Sequence, residues 1–162
     1  MEKFYIAYGS NLNMDQMRFR CPHATPVGTS VLKDYQLLFK GHRDGRFGVL
    51  TVEPRKGRRV PVGIWLVDDH DEHQLDIYEG YPRLYDKEWM DLRVVPLRGK
   101  KKAFDVSAMV YRMTPGHHLA LPTDSYFDTC EQGYRDFGFD RSFLNKAWAD
   151  SFSMDGWRRY SR

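Results

Sequence analysis

Apolar and polar positions alternate along most of the first two-thirds of the chain, and the period changes in only a few places. "KFYIAY" (Lys3–Tyr8) is rich in aromatic side chains with a central isoleucine and predicts a first strand. The strand stops at Gly9-Ser10-Asn11, and "NMDQMRFR" then takes up helical spacing. Asn13 is placed to cap that helix, Gln16 sits three residues on, and Cys21-Pro22 ends it. "VGTSVLKD", "YQLLFKGH", "RFGVLTVEP" and "VPVGIWLVD" alternate at short spacing between Gly-, Asp- and Arg-containing turns, which predicts antiparallel hairpins rather than βαβ units. The basic runs "RKGRR" and "RGKKK" fall at two of the expected hairpin tips.

The period changes at "DDHDEHQLDIYEG" (Asp68–Gly80). Leu75 and Glu79 stand four apart and share one helix face, and Gly80 and Pro82 supply the stop. Strands over Tyr85–Pro96 and Phe104–Met113 follow. From about Thr123 to Trp148 the pattern is helical, opened by Pro122 with Thr123 or Asp124 as cap, and interrupted at Gly133 and Gly138. The sum is an α+β chain, a small, mixed but mainly antiparallel β-barrel or sheet with flanking helices.

Composition narrows this further. At 162 residues the chain reads as one domain spanning 1–162, and 41% apolar with 15% aromatic residues is a globular balance. Net charge is +3, with 22 acidic residues interspersed among the basic ones, which argues against a dedicated nucleic-acid binder. The two cysteines, Cys21 and Cys130, have no CxxC spacing and are expected to be reduced packing thiols. No signal-peptide core is visible, and no apolar run approaches the roughly 18 residues of a membrane span. A cytoplasmic protein with no membrane or nucleic-acid partner is expected, its oligomeric state left open.

Three stretches could carry chemistry. The turn at Gly9–Asn11 leads from a strand into a helix, so successive backbone N–H groups and a helix N-terminus can cradle a carboxylate or phosphate. A plain connector has the same pattern. Glu79, carried inward with Leu75 at the end of its helix, would have its pKa raised by burial and by the helix C-terminus, which suits proton transfer near neutral pH. Tyr81 and Tyr85 flank it. In "LPTDSYFDTCEQGYRDFGF", Tyr126, Cys130 and Tyr134 lie at helical spacing, which by default means packing. "DDHDEH" reads as a solvated helix face rather than a metal cluster, and "HRD" at His42–Asp44 lacks the other motifs of a kinase.

Taken together, "YIAYGSNLN", "LDIYEGYPRLY" and "LPTDSYFDTCEQGYRDFG", with Gly63 and Trp65 in "VPVGIWLVD", resemble the γ-glutamylcyclotransferase-like family over nearly the whole chain. A start of "PTDSY" replaces the more usual Pro-Ser and keeps a hydroxyl. The resemblance implies a small mixed barrel with flanking helices and cleavage of γ-glutamyl amides by intramolecular cyclisation, a transferase or lyase reaction releasing 5-oxoproline and a free amine. It implies no metal or organic cofactor and a small-molecule γ-glutamyl substrate. It further implies that the backbone of Tyr8, Gly9, Ser10, Asn11 and Leu12 binds the substrate carboxylate. Glu79 would be the general base and acid, with Tyr85 and Tyr126 lining the pocket. A non-catalytic module binding ligand in the same cavity is the alternative.

Overall fold

The computed structural model describes residues 1–41, 46–99 and 101–152. Strand β1 (Lys3–Ala7) runs into a 3-10 turn at Ser10–Leu12 and then helix α1 (Met14–Arg20). Strands β2 (Thr25–Gly41) and β3 (Gly48–Val67) precede helix α2 (Asp69–Glu79). Strands β4 (Tyr85–Pro96) and β5 (Phe104–Met113) and helices α3 (Asp124–Phe137) and α4 (Ser142–Ser151) complete the order.

The strands close into a barrel in the order β1-β3-β2-β4-β5. Every pairing is antiparallel except β1 with β5, which run parallel through Phe4 with Ala108 and Tyr5 with Met109. The barrel is therefore mixed, as expected, and the core fills it with Ile6, Phe39, Ile64, Met109 and Tyr111, all buried. The seam between β2 and β4 is short, with only Gly28 opposite Pro96 and Thr29 opposite Val95.

Two expectations are corrected here. The four short strands between Val27 and Asp68 are two long ones, because the expected turn at Asp34 is a bulge. Asp34 takes a φ of 61°, the register slips between Lys33 and Tyr35, and its Oδ1 accepts a 2.9 Å bond from Gly57 N–H across the sheet. "RKGRR" consequently lies within β3, opposite that bulge, and not at a hairpin tip. The "RGKKK" run does lie in the β4–β5 connection, although Lys100 is outside the described residues. His42–Asp44 also lie outside them.

Gly133 does not interrupt α3. A Cβ there would sit 2.6 Å from Asn13 N and 2.7 Å from Leu12 C, so the glycine lets the helix lie directly on the 3-10 turn. Helix and turn are also bonded together. Asn13 Oδ1 caps α1 by accepting from Gln16 N–H at 3.0 Å, its Nδ2 donates to Thr129 O at 3.1 Å, and Met14 N–H donates to Asp136 Oδ2 at 2.9 Å. α2 is fixed at both ends. Asp68 and Asp71 form a reciprocal capping box, and Gly80 (φ 64°) closes the C-terminus. Between them Lys87 of β4 donates to Glu72 at 2.7 Å and pairs with Asp76 at 2.9 Å, while Lys3 of β1 bonds Glu72. Cys21 and Cys130 are free thiols, both buried.

Candidate active site

The 3-10 turn and the end of α2 meet at one end of the barrel around a cavity of about 220 Å³. Tyr8, Gly9, Ser10, Asn11, Glu79, Tyr85 and Tyr126 all line it, so the structure brings together nearly every residue singled out in the sequence. Leu12 is the exception. It is buried beneath the turn, and its N–H closes onto Gly9 O at 3.0 Å. Asn13 N–H closes similarly onto Ser10 O. The N–H groups of Gly9, Ser10 and Asn11 have no acceptor among the described residues, which leaves three donors at the cavity wall. Trp65 Nε1 pins the turn from below by donating to Asn11 O at 3.0 Å. A side chain at position 9 would press on Leu50 at 3.3 Å, so Gly9 lets the turn lie close against β3.

Glu79 reaches the cavity because Leu75, one turn earlier on the same face, is buried in the core. Its surface remains partly open toward the cavity, yet its carboxyl is surrounded by protein, and that desolvation pushes its pKa up to about 7. The Arg20 guanidinium opposes the shift. Asn11 Nδ2 donates to Glu79 Oε1 at 3.2 Å and to Tyr5 Oη at 2.8 Å. Arg20 Nη1 bonds Asn11 Oδ1, its Nη2 bonds Gln16 Oε1 at 2.9 Å, and its guanidinium lies 3.4 Å above the Tyr78 ring. Tyr78 in turn shares a 2.9 Å hydrogen bond with Ser10.

The two tyrosines named from the sequence wall the cavity in a way the sequence does not reveal. Leu50 of β3 points its N–H and C=O away from β2, and each is taken by a phenol. Leu50 N–H donates to Tyr126 Oη at 3.0 Å, and Tyr85 O–H donates to Leu50 O at 2.6 Å. Tyr81 lies outside the lining and packs edge-on against Tyr111. Sequence reasoning missed Tyr5, Tyr78 and Tyr111, all of them cavity-lining, and Arg20. Arg20 carried a faint signal, since it stands one turn after Gln16 on α1. The tyrosines carried none, because long-range packing alone brings them to the site.

At the far end of α2, about 15 Å along its axis, "DDHDEH" does gather a cluster. His23 joins Asp68, His70 and Asp71 with potential ligand atoms within 4.8 Å of one another. Asp68 and Asp71 already serve as the helix cap there, and His23 Nδ1 lies 2.8 Å from Asp68.

Fold and site together define a small mixed five-stranded barrel enclosing one raised-pKa carboxylate in the same cavity as the unpaired backbone N–H groups of Gly9–Asn11. The sequence profile of the gamma-glutamyl cyclotransferase, AIG2-like family matches residues 5–128, and the chain belongs to that family. No curated protein sequence matches it. Among solved structures, a gamma-glutamyl cyclotransferase superposes with a TM-score of 0.74 at 22% identity, covering 99% of both chains. An uncharacterised human protein gives 0.73 at 21%, again over 99% of both. A yeast gamma-glutamyl cyclotransferase specific to glutathione gives 0.53 at 10%, over 94% of this chain and 99% of that one. These three share the fold. Among the described residues, no helix is long and apolar enough to cross a membrane.

Proposed function

We propose that the protein cleaves γ-glutamyl amides by cyclisation, releasing 5-oxoproline and a free amine, with Glu79 as base and then acid. The observation that carries this is the pairing, in one cavity, of the Glu79 carboxyl near pKa 7 with the free N–H groups of Gly9–Asn11. The cradle contributes positive partial charge and no titratable group, which matches a substrate α-carboxylate. With one end of the substrate held, its α-amine lies between Glu79 and the γ-carbonyl. That amine is mostly protonated at neutral pH and cannot attack. A carboxylate near pKa 7 takes its proton and returns one to the leaving amine. Nucleophile and electrophile share one molecule, so much of the barrier is orientation, and a rigid backbone clamp supplies it.

The family assignment supports the reaction class, and the structural similarity to a protein named gamma-glutamyl cyclotransferase is consistent with it. The test is to incubate the purified protein with a panel of γ-glutamyl amines and detect 5-oxoproline by mass spectrometry. Wild type is expected to release it from at least one member, and Glu79→Gln to release none above background. Full turnover by Glu79→Gln would remove Glu79 from the mechanism. Binding of glutamate-like ligands without product across the panel would favour a non-catalytic module.

A further inference from the structure

We propose that Tyr5 is the hydrogen-bond donor to the γ-carbonyl oxygen as that oxygen becomes an oxyanion, its hydroxyl aimed by an Arg20–Asn11 chain. This rests on the cyclotransferase reading above. The argument begins from hydrogen-bond direction. Arginine can only donate, so the bond from Arg20 fixes which end of the Asn11 amide is oxygen. The opposite end, Nδ2, carries two protons, and they go to Glu79 Oε1 and to Tyr5 Oη. Tyr5 therefore accepts from Asn11, and its own proton must point elsewhere.

The other cavity phenols differ, except that Tyr126 likewise only accepts, and it does so from Leu50 rather than from the amide that also holds Glu79. Tyr8 donates to Tyr111 O at 2.7 Å, Tyr85 to Leu50 O at 2.6 Å, and Tyr111 to Asp76 Oδ1 at 2.5 Å. Tyr78 shares its hydroxyl with Ser10, and Tyr126 accepts from Leu50 N–H. The Tyr5 hydroxyl proton has no acceptor among the described residues, although the side chain is only 3% exposed and lines the cavity. An orphan donor buried in a binding cavity is costly unless a ligand meets it. Burial and the neighbouring Glu79 charge push the Tyr5 pKa far up, so the proton stays on the phenol.

Position distinguishes the two substrate oxygens it could serve. The carboxylate end belongs to the backbone donors of Gly9–Asn11. Tyr5 shares one amide nitrogen with Glu79, so its hydroxyl sits beside the base, where the scissile bond must lie. In the reaction the α-amine nitrogen, relieved of a proton by Glu79, bonds to the γ-carbon, and the carbonyl π pair moves onto oxygen. Tyr5 O–H stabilises that charge. The pair then returns and the bond to the leaving amine breaks as Glu79 gives that amine its proton, and the freed Glu79 carboxylate takes the second proton from the ring nitrogen to leave the neutral lactam.

Tyr5→Phe removes one hydroxyl and nothing else. It is expected to lower kcat for 5-oxoproline release about 100-fold, the range for loss of one oxyanion donor, with KM within about threefold. Unchanged kcat overturns the proposal while leaving the cyclotransferase reading intact. So does a raised KM at unchanged kcat, which would place the hydroxyl on the carboxylate instead. If Tyr5→Phe does not fold, 3-fluorotyrosine at position 5 keeps the shape and makes the phenol a stronger donor. A rise in kcat then supports the proposal, and an unchanged kcat overturns it. A wild-type protein that releases no 5-oxoproline from any γ-glutamyl amine overturns both readings together.

Discussion

At the scale of single residues, Glu79, the proposed base, is held in a state that costs stability. Burial displaces the Glu79 carboxyl from the ordinary glutamate value of 4.5 to about 7. Below pH 4.5 it is protonated whether the chain is folded or not, and nothing is lost. Between 4.5 and 7 the unfolded chain ionises while the folded one holds its proton, so stability falls as pH rises; above 7 the loss is constant. Glu79→Gln cannot ionise. Its melting temperature relative to wild type is therefore expected to climb from pH 4.5 to pH 7, by a gain on the order of 2 kcal/mol once partial exposure is discounted. In wild type, kcat/KM should rise with pH through about 7, where the base becomes available. Activity and stability thus move in opposite directions across one interval, and a pair of pH series checks both. Glu79 was legible because its fourfold spacing from Leu75 is a local fact. Tyr5 was not, since its orientation depends on Arg20 and Asn11, which reach it only once α1 has folded against the barrel.

Among the elements, α3 is the support for the 3-10 turn that carries the proposed carboxylate clamp. Gly133→Ala would ordinarily gain up to about 1 kcal/mol from helix propensity. Here the added methyl would meet backbone atoms of Leu12 and Asn13 at 2.7 and 2.6 Å, with no flexible side chain to yield. The expected net effect is a loss of about 2 kcal/mol in denaturant melts, the usual scale for overpacking, with a raised KM as the turn shifts. A gain in stability would mean that α3 can slide off the turn. Helix caps at Asn13, Thr123, Gly80 and Gly138 were readable because each depends on one or two neighbouring residues. The bulge at Asp34 was not. An Asp before an aromatic strand looks the same whether it ends a strand or bends one, and the bond from Gly57 that decides the matter spans the sheet.

For the whole molecule, closure is uneven. β2 pairs with β3, and β4 with β5, along most of their lengths, whereas β1 meets β5, and β4 meets β2, at two residue pairs each. Hydrogen exchange should accordingly rank the amides bonded between β2 and β3 among the slowest and the seam-facing amides of β4 among the fastest in the barrel. Uniform protection around the ring would contradict that ranking. Alternation along the chain was enough to indicate a barrel, but not where it closes, because closure by a parallel β1–β5 pair leaves no mark in either strand's pattern. β1 covers β3 only over Gly63–Val67, so beside the cavity, at Leu50–Val52, the edge of β3 that faces away from β2 has no strand partner. The phenols of Tyr126 and Tyr85 occupy the Leu50 amide and carbonyl, and Arg112 Nε donates to Val52 O at 3.2 Å. A bare strand margin is a template on which a second chain can assemble, and here side chains have taken the bonds that such a chain would use. The aromatic wall of the pocket is therefore also a guard against self-association, and changes made there to alter substrate choice act on solubility as well.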